Sequence, residues 1–544
     1  MTVTDSIAEL RGAVDQAARA LRDGERTEPA PTLDRPPKPE LGDYSSNAAM
    51  LLAGPLGDNP RAVAARLQVE LEGNLGGTGD IDRIEVAGPG FVNLFLSDAW
   101  YQRALASLLE AGEGLGPAPT TTPERVLIEG PSANPTGPLH VGGGRLAAYG
   151  DALARLLEAV GHEVTREYYV NDAGAQIGRF ADSIAARMAG EDPPEDGYGG
   201  DYVTALAAVL AAEGVDPGER EALGLRGIEL MLDGVRTTLE RFGVKIDVWT
   251  SERALYARGE VEAALAKLDE RGHSYRSEDA LWLRTTEFGD DKDRVLIRSN
   301  GEPTYLTADV AYHWDKLQRG FDRLVDVLGA DHHGYVARIR AAIAALGGDP
   351  DAFEATIMGL VHVVEKGERV QMSKRTGDFV SLDELLDDIG VDATRWFMLW
   401  RGHETTVDLD LEIARSQSSE NPVYYVQYAH ARIASILRKA GDAATVTEAG
   451  ARAAALEPSE KALIKRLLEF PDEVRDSAAR RAPHRICAYS TAVAADFHGF
   501  YRDCQVLGAE QEGVEQSRLA LCLATKRTIA ASLGLLGISA PERM

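Results

Sequence analysis

The segment 129–145 holds the densest group of residues that could do chemistry. His140 offers polar ring nitrogens, and Gly142 and Gly143 lack side chains, so a nucleotide could lie against the backbone there. An apolar run precedes the segment and a long amphipathic run, 146–160, follows it. The pattern predicts a buried strand, a glycine-rich turn and a helix, which can face backbone N–H groups and the positive helix end toward a phosphate. His140-Val-Gly-Gly alone would favour an ordinary turn of an α/β protein.

The wider context of this turn is more specific. Residues 134–142 read Asn-Pro-x-Gly-x-x-His-x-Gly, which resembles the ATP-binding signature of class I aminoacyl-tRNA synthetases. The preceding Glu129-x-x-Ser-Ala-Asn-Pro-Thr-Gly-Pro is similar to the form found in arginyl-tRNA synthetases. Gly143 stands where most of the class has a second histidine. The resemblance implies ATP contacts at Pro138, His140, Gly142 and Gly143, and arginine contacts at Glu129, Ser132 and Asn134.

A second signature lies in the later half of the same region. Residues 370–377 read Val-Gln-Met-Ser-Lys-Arg-Thr-Gly, which resembles the mobile Lys-Met-Ser-Lys-Ser loop of the class. Gln371 replaces the first lysine and Arg375 the final serine, while Lys374 is retained. The resemblance implies that Met372 and Ser373 contact ATP. A long cationic side chain on such a loop could close onto the triphosphate late in the reaction, which makes Lys374 and His140 the predicted catalytic pair.

The pocket for the amino-acid side chain is predicted from a third segment. Residues 303–309 contain Tyr-x-Thr-x-Asp, which is similar to the family's segment for arginine recognition. The resemblance implies that Tyr305 and Asp309 face the arginine side chain, with Asp309 pairing the guanidinium; Glu252 and His333 are further predicted contacts. Paired carboxylates suit a guanidinium, which forms planar bidentate contacts. Taken alone, Asp309 would equally suit the start of a helix.

Two further polar segments can be interpreted from their residues without the family resemblance. Asp172 and Gln176 lie in a Val-Asn-Asp-x-Gly-x-Gln segment, where a ligand role and a strand followed by an Asn-capped helix are equally favoured. Asp331-His332-His333 could suggest a metal site. Adjacent histidines on an extended segment point to opposite sides, however, and no further His or Cys set completes a site. No metal, and no zinc in particular, is predicted.

The elements that must position these residues divide the chain into three predicted domains. Residues 1–112 predict a small α+β domain, which resembles the family's N-terminal tRNA-binding domain; without that resemblance, a purely structural domain would be expected. Residues 120–400 predict a Rossmann-type parallel-sheet catalytic domain with a helical insertion at about 180–290. Residues 401–544 predict an all-α helical bundle that resembles the anticodon-binding domain. The fold class is therefore a multidomain α/β protein.

The predicted tRNA contacts lie on the bundle. Tyr424, Gln427, Tyr428 and Arg432 belong to one segment of helical spacing, and Met544 ends the chain in a pattern similar to the family's. Aromatic residues at helical spacing are more often core residues, so this prediction depends on the resemblance. Exposed aromatic and arginine side chains could stack RNA bases.

Composition limits the possible functions. The 544 residues carry a formal net charge of −28, which argues against a general nucleic-acid binder but allows a local basic face. The sequence shows no secretory n-region and no apolar run of membrane length, so a soluble cytoplasmic protein is predicted. Its three cysteines, Cys487, Cys504 and Cys522, are predicted to be buried thiols.

Together, the resemblance implies an arginine–tRNA ligase. Such an enzyme activates L-arginine with ATP and Mg²⁺ to arginyl-adenylate, then transfers arginine to the 3′ end of tRNA(Arg), without a tightly bound cofactor. A monomer is predicted. The alternatives are a non-catalytic tRNA-binding relative, which the retained His140 and Lys374 disfavour, and a nucleotidyltransferase that acts without tRNA, which the two flanking domains disfavour.

Overall fold

The N-terminal unit is a small antiparallel sheet covered by helices. A computed structural model of the chain describes residues 6–25, 27–112, 114–332, 334–370, 380–441 and 455–544. The unit contains β1 (Leu33–Asp34), β2 (Tyr44–Ser46), β3 (Ile81–Ala87) and β4 (Phe91–Leu96) in the order β1-β2-β4-β3, with α1 (Ser6–Ala20), α2 (Ala48–Leu56), α3 (Pro60–Leu75) and α4 (Asp98–Glu110). Helix α4 begins at Ser97, whose hydroxyl accepts a hydrogen bond from the Trp100 N–H at 3.3 Å. The buried Trp100 and Tyr101 then anchor it to the core.

The middle of the chain builds a five-stranded parallel sheet. Its strands are β5 (Arg125–Glu129), β6 (Glu163–Val170), β7 (Val248–Ser251), β11 (Arg323–Gly329) and β12 (Phe353–Met358), in the order β12-β11-β5-β6-β7. Val126, Leu127 and Ile128 are buried, as a strand covered on both faces requires. The chain runs outward from β5 in both directions, so a crevice is expected at the carboxyl end of β5, where such sheets bind ligands.

The helices around this sheet follow its strands in chain order. They are α5 (Val141–Ala159), α6 (Ala175–Met188), α7 (Asp201–Ala212), α8 (Arg220–Arg241), α9 (Glu252–Ala257), α10 (Glu260–Glu270), α11 (Tyr305–Gln318) and α12 (Tyr335–Leu346). A second, antiparallel sheet has the order β10-β9-β8, built from β8 (Ser274–Ser277), β9 (Ala280–Leu283) and β10 (Arg294–Ile297).

The predicted helical insertion at about 180–290 needs a correction. Strand β7 lies within that range, yet it pairs with β6 at the edge of the central sheet, with Tyr168 opposite Trp249. The antiparallel sheet also begins inside the range. Residues 242–252 have a strand-like sequence. Local patterning does not show which sheet this strand joins, because its partner strand is distant in the chain.

The C-terminal region begins with a small sheet and continues in helices. Strands β13 (Val361–Glu365), β14 (Glu368–Arg369) and β15 (Val407–Asp410) have the order β14-β13-β15. The described helices are α13 (Leu382–Leu399), α14 (Leu411–Arg415), α15 (Pro422–Ala440), α16 (Pro458–Leu468), α17 (Phe470–Ala479), α18 (His484–Asp503) and α19 (Val514–Leu535). The predicted fold class is confirmed: a parallel-sheet catalytic domain stands between an N-terminal α+β unit and a C-terminal helical region.

Ion pairs join the two ends of the chain. Lys465 of α16 approaches Asp43 at 2.8 Å, and Arg35 approaches Glu469 at 2.8 Å. Lys461 likewise pairs with Asp98 at 2.7 Å. Lys461 and Lys465 lie in the basic segment 461–466 of the helical bundle, and their partners belong to the N-terminal unit. These contacts between distant parts of the chain therefore neutralise part of the positive charge on the bundle. In the described part of the chain, no helix has both the length and the apolar character to cross a bilayer.

Candidate active site

Four ionisable side chains meet where β5 and β11 lie side by side. Glu129 ends β5, and Asp326 of β11 lies opposite it in register. Lys316 of α11 reaches between them, with its Nζ 2.6 Å from Glu129 Oε2 and 2.8 Å from Asp326 Oδ1. His313 Nε2 lies 3.3 Å from Asp326 Oδ2. We call these four residues the paired cluster, since each carboxylate in it contacts a basic side chain.

Burial and pairing act against each other within this cluster. Burial raises the pKa of Glu129, although Lys316 opposes that rise. Burial would also raise the pKa of Asp326, but Lys316 and His313 outweigh it and hold that pKa well below its usual range. For Lys316, burial would lower the pKa, and the attraction of the two carboxylates raises it instead. Lys316 therefore remains charged at neutral pH although its side chain is fully buried.

Two more carboxylates lie beside this cluster and have no such partner. Asp309 lies on α11, and Glu252 is the first residue of α9, directly after β7. Burial, followed by repulsion from Glu129 and Glu252, raises the pKa of Asp309 to about 8. Burial also raises the pKa of Glu252. Neither carboxylate forms an ion pair with any described residue. We call Asp309 and Glu252 the open pair.

Tyrosine rings form the wall between these carboxylates. Tyr169 of β6 and Tyr312 of α11 have ring centroids 4.5 Å apart, and Lys316 Nζ lies 4.2 Å from the Tyr312 centroid. The Tyr312 hydroxyl is buried without a hydrogen-bond partner among the described residues, and the Tyr169 hydroxyl lies within hydrogen-bonding reach of Glu252. Burial, and then repulsion from Glu252 and Asp309, raises the pKa of Tyr169 well above its usual range. The site is therefore acidic, lined by aromatic rings, and without a cation at Asp309 and Glu252.

Sequence reasoning missed Tyr169, Tyr312 and Lys316. A usable signal was present for two of them, because residues three and seven positions after Asp309 share its helical face. That spacing selects Tyr312 and Lys316. No comparable signal marks Tyr169, whose role depends on the pairing of β6 with β5.

The loop after β5 is fixed by its own polar side chains. Ser132 Oγ donates to Glu129 Oε1 at 2.8 Å and accepts from the Tyr169 N–H at 3.1 Å. Asn134 Oδ1 accepts from Asn171 Nδ2 at 3.3 Å, and Asn134 itself is exposed. The predicted arginine contacts Glu129, Ser132 and Asn134 thus lie along one loop that starts at the paired cluster.

Asp172 and Gln176 form hydrogen bonds within the protein, but the predicted Asn cap is wrong, because Gly174 precedes α6 and no side chain caps it. Asp172 accepts hydrogen bonds from Ser251 Oγ at 2.7 Å and from the Arg253 N–H at 2.9 Å, which ties it to the start of α9. Gln176 Nε2 donates to the Asn171 carbonyl at 2.8 Å. Asp172 therefore positions the helix that carries Glu252.

His140 caps helix α5. Its Nδ1 accepts a hydrogen bond from the Gly143 N–H at 3.2 Å. A Cβ on Gly142 would lie 2.8 Å from His140 Cε1, and one on Gly143 would lie 2.8 Å from Leu139 Cδ1, so a side chain at either position would displace that neighbour. The expectation that both glycines open the backbone to a nucleotide needs a correction at Gly143, which is buried. Gly142 and Pro138 are both partly exposed.

The second signature is flanked by residues that contact the first. Met372, Ser373 and Lys374 lie outside the described residues, but Val380, which follows their segment, accepts a hydrogen bond from the Val141 N–H at 3.2 Å. The Leu382 N–H donates to the Leu139 carbonyl at 2.7 Å. The described end of the second segment thus lies directly against the residues on either side of His140.

Two other predicted arginine contacts have different outcomes. Tyr305 lies one helical turn before Asp309, so the two share a face of α11. Its side chain is 76% exposed, which places Tyr305 at the rim of the site and not in its interior. His333 lies outside the described residues, and in the part of the chain that is described no three His, Cys, Asp or Glu side chains are arranged to hold a metal ion.

Helix α15 presents a row of stacked side chains. Tyr424 and Tyr428 have centroids 6.1 Å apart and planes 9° from parallel, and Arg432 Cζ lies 4.6 Å from the Tyr428 centroid. Tyr428 is exposed. We call Tyr424, Tyr428 and Arg432 the α15 ladder. Met544, at the end of the chain, is also exposed.

Gln427 does not belong to this exposed row. Its side chain is buried, and its Nε2 donates to Asp392 Oδ2 at 2.7 Å and to the Ser539 carbonyl at 2.9 Å. The expected tRNA contact at Gln427 does not fit this placement, because its amide group already joins α15 to residues near the chain end.

Known families match consecutive parts of the chain. The models described as "Arginyl tRNA synthetase N terminal domain", "tRNA synthetases class I (R), catalytic domain" and "DALR anticodon binding domain" match residues 8–96, residues 105–192 with 218–407, and residues 426–544, respectively. The catalytic-domain model alone covers more than half of the chain.

Solved structures agree with these matches. A Campylobacter jejuni protein assigned as an arginyl-tRNA synthetase is 33% identical, with a TM-score of 0.76 over 82% of this chain and 100% of its own. The Thermus thermophilus arginyl-tRNA synthetase is 27% identical, with a TM-score of 0.77 over 99% of this chain and 100% of its own. The Plasmodium falciparum enzyme, 18% identical over 99% of both chains with a TM-score of 0.75, shares the fold. The chain therefore belongs to the arginyl-tRNA synthetase family of class I aminoacyl-tRNA synthetases.

Proposed function

We propose that this arginine–tRNA ligase binds the guanidinium group of its substrate at the open pair, Asp309 and Glu252. The observation that carries the proposal is electrostatic. Both carboxylates have a raised pKa and form no ion pair with a described residue. A buried carboxylate without a cation is unfavourable, and such groups concentrate at functional sites. A guanidinium supplies the missing charge and enough N–H donors to reach both side chains.

The same geometry supports selectivity for arginine. Lys316 already forms ion pairs with Glu129 and Asp326, so the open pair is the part of the site without a cation. A lysine substrate presents a compact point charge that does not reproduce the planar fork of a guanidinium. A neutral isostere would leave the carboxylates buried and unpaired. Tyr305 lies at the rim, where its ring could cover the bound side chain.

The reacting groups are proposed to meet between the two signatures. Arginine is activated when its carboxylate attacks the α-phosphorus of ATP, and the terminal ribose hydroxyl of tRNA then takes the arginyl group. No protein nucleophile is required, so the protein acts by positioning and by neutralising charge. We assign ATP, bound with Mg²⁺ as the substrate complex, to Pro138, His140 and Gly142. The contacts of Val380 and Leu382 with this loop support Lys374 as its cationic partner.

The α15 ladder is the proposed anticodon contact. Exposed tyrosine and arginine planes are suited to stack unpaired bases, and Tyr428 and Arg432 already form such a stack. Met544 is retained as a proposed contact, and the N-terminal unit is proposed to meet the tRNA elbow. We also propose that the enzyme acts in the cytoplasm as a monomer, which light scattering of the purified protein at working concentration would check.

The variant Asp309→Asn tests the proposal. It keeps the shape of the side chain but removes one charge from a charge-assisted bidentate contact. The KM for arginine should rise about 100-fold in tRNA-dependent pyrophosphate exchange, since hydrogen bonds to charged groups contribute about 1.5–3 kcal/mol each. The KM for ATP should stay within about twofold.

Glu302→Gln is the matched control, because Glu302 is an exposed residue just before the same helix. It should leave both KM values unchanged. An unaltered arginine KM in Asp309→Asn, in an enzyme that still charges tRNA, would remove the assignment of the open pair.

A further inference from the structure

A cavity of about 640 Å³ opens on the other side of β6 from the paired cluster, at the start of α6. Three arginine side chains line it: Arg179 of α6, Arg220 of α8 and Arg253 of α9. Asp172 and Glu221 are its acidic lining residues. The three arginines outnumber the two carboxylates among the lining residues, on a chain with a formal net charge of −28.

Two of these arginines are held in place by other groups. Arg220 Nε donates to Asp182 Oδ1 at 2.5 Å, and its guanidinium lies against Gly178, where an added Cβ would be 2.9 Å from Arg220 Cζ. Arg253 Nη2 lies 3.8 Å from Glu221 Oε1. The cavity is therefore shaped in part by a fixed guanidinium that packs on a glycine.

The third arginine is unpaired. Arg179 is exposed and has no ion-pair or hydrogen-bond partner for its side chain within the described ranges. The nearby Asp172 carboxylate does not neutralise it, because its oxygens accept hydrogen bonds from Ser251 and from the Arg253 backbone. An anion entering the cavity would thus meet one unpaired cation, Arg179, because Arg220 already forms a two-point ion pair with Asp182.

The cavity is linked directly to the open pair. Asp172 lines the cavity and accepts from Ser251 Oγ, and Ser251 immediately precedes Glu252. An anion bound here would lie beside the element that positions a guanidinium-binding carboxylate. Among the substrates of the proposed reaction, tRNA is the polyanion whose 3′ end must approach bound arginine. ATP is proposed to bind on α5, on the other side of β6.

We propose that this cavity, with Arg179 as its unpaired cation, binds a backbone phosphate of the single-stranded 3′ end of tRNA. The inference rests on the proposed function, since it requires tRNA to be the acceptor. A phosphodiester there would hold the terminal nucleotide close to the arginine carboxyl group. Binding would also brace the start of α9 through Asp172, and with it Glu252.

Arg179→Ala is the primary test, because an exposed, unpaired side chain can be removed without loss of folding. The KM for tRNA in aminoacylation should rise about tenfold. The KM values for arginine and ATP, measured at saturating tRNA, should stay within twofold. The slope of log KM for tRNA against log salt concentration should fall by about 0.7, as for the loss of one phosphate contact on a single strand. Arg179→Lys should recover most of the affinity.

Arg276→Ala is the matched control, since Arg276 is also exposed and unpaired among the described residues but lies on β8, away from the cavity. An equal rise in tRNA KM for Arg276→Ala would show a general charge effect and overturn the proposal. So would a change in the KM for ATP alone.

A truncated tRNA locates the contact on the RNA. A tRNA that lacks its last three nucleotides, used as a competitive inhibitor, should have the same Ki for the wild-type enzyme and for Arg179→Ala. A persisting difference in Ki would place the contacted phosphate elsewhere and overturn the assignment to the 3′ end. If the wild-type enzyme failed to charge tRNA with arginine at all, the proposed function would fail first, independently of Arg179.

Discussion

The paired cluster and the open pair lie side by side, yet Asp326 of the first and Asp309 of the second have pKa values shifted in opposite directions. Asp326 is held ionised by Lys316 and His313, and its pKa lies well below the usual range. Asp309, on the neighbouring helix, has a pKa raised to about 8. The difference is one buried ammonium group, which reaches two carboxylates on the sheet and leaves the other two without a partner.

The paired cluster therefore serves mainly to hold the fold together, and the open pair serves, as proposed, to bind substrate. The paired cluster supplies its own counter-charge and so joins β5, β11 and α11 in the absence of substrate. The open pair lacks a counter-charge and gains one only when a cation binds. Such a site favours a cationic substrate because the negative charge of the open pair has no counter-charge in the protein. The paired cluster determines which carboxylates are left in that state.

The largest effect is expected when the internal cation is removed. Lys316→Met should leave Glu129 buried without a cation and Asp326 with only His313 beside it, which should lower the free energy of unfolding by about 3–5 kcal/mol. Urea unfolding of the catalytic region would measure the loss. Lys267→Met serves as the control, because its pair with Glu270 at 3.0 Å is on the surface and should contribute under about 1 kcal/mol. Equal losses in the two variants would abolish the distinction between the two regions.

A smaller effect is expected from the second member of the open pair. Glu252→Gln should raise the KM for arginine about thirtyfold, because one charge-assisted contact is lost while the paired cluster stays intact. Thermal stability should hold or improve, since a buried, unpaired charge is removed. Glu260→Gln, at the start of the next helix, is the control and should change neither quantity. A stability loss as large as that of Lys316→Met would mean that Glu252 is structural.

The smallest expected effect is a dependence of arginine binding on pH. Guanidinium binding needs ionised Asp309, whose pKa in the free enzyme is about 8, so about one tenth of the sites are ready at pH 7. The KM for arginine should therefore fall about tenfold from pH 7 to pH 9, with a proton released on binding at pH 7. Titration calorimetry in buffers of different ionisation enthalpy would count that proton.

Folding stability should change with pH in the opposite direction to arginine affinity. The pKa of Asp309 is higher in the folded protein than its ordinary value of 3.8, so its contribution to stability is full below that value and is lost as pH rises toward 8. Arginine should therefore raise the melting temperature more at pH 8 than at pH 6. In Asp309→Asn both pH dependences should disappear, and their survival would point to another titrating group.

Local sequence patterns predicted a helix or strand correctly where its formation depends on residues close together in the chain. The apolar run at 126–128 is a buried strand, and the glycine-rich turn leads into a helix that starts at His140. The three-part fold class is confirmed. The assignment of β7 to an insertion was wrong because strand pairing joins residues about eighty positions apart, as with Tyr168 and Trp249.

Predictions for single residues were less uniform. Glu129, Asp309 and Glu252 do come together at one edge of the sheet, as their motifs indicate. Gln427 was expected to contact tRNA because its segment resembles that of the family, yet its side chain is buried and faces Asp392, a residue of another helix. Helical periodicity gives the angle of a side chain around its own axis, but it does not say which neighbour covers that face.

The sequence by itself determined the order of elements, the two signatures and the acidic residue types, because each depends on neighbours within a few positions. Only the tertiary structure decided which carboxylates receive a cation. That choice depends on Lys316 crossing from α11 to β5 and β11, over 187 residues of sequence separation from Glu129. Charge balance in a buried site depends on distances between atoms, and those distances exist only after the chain has folded.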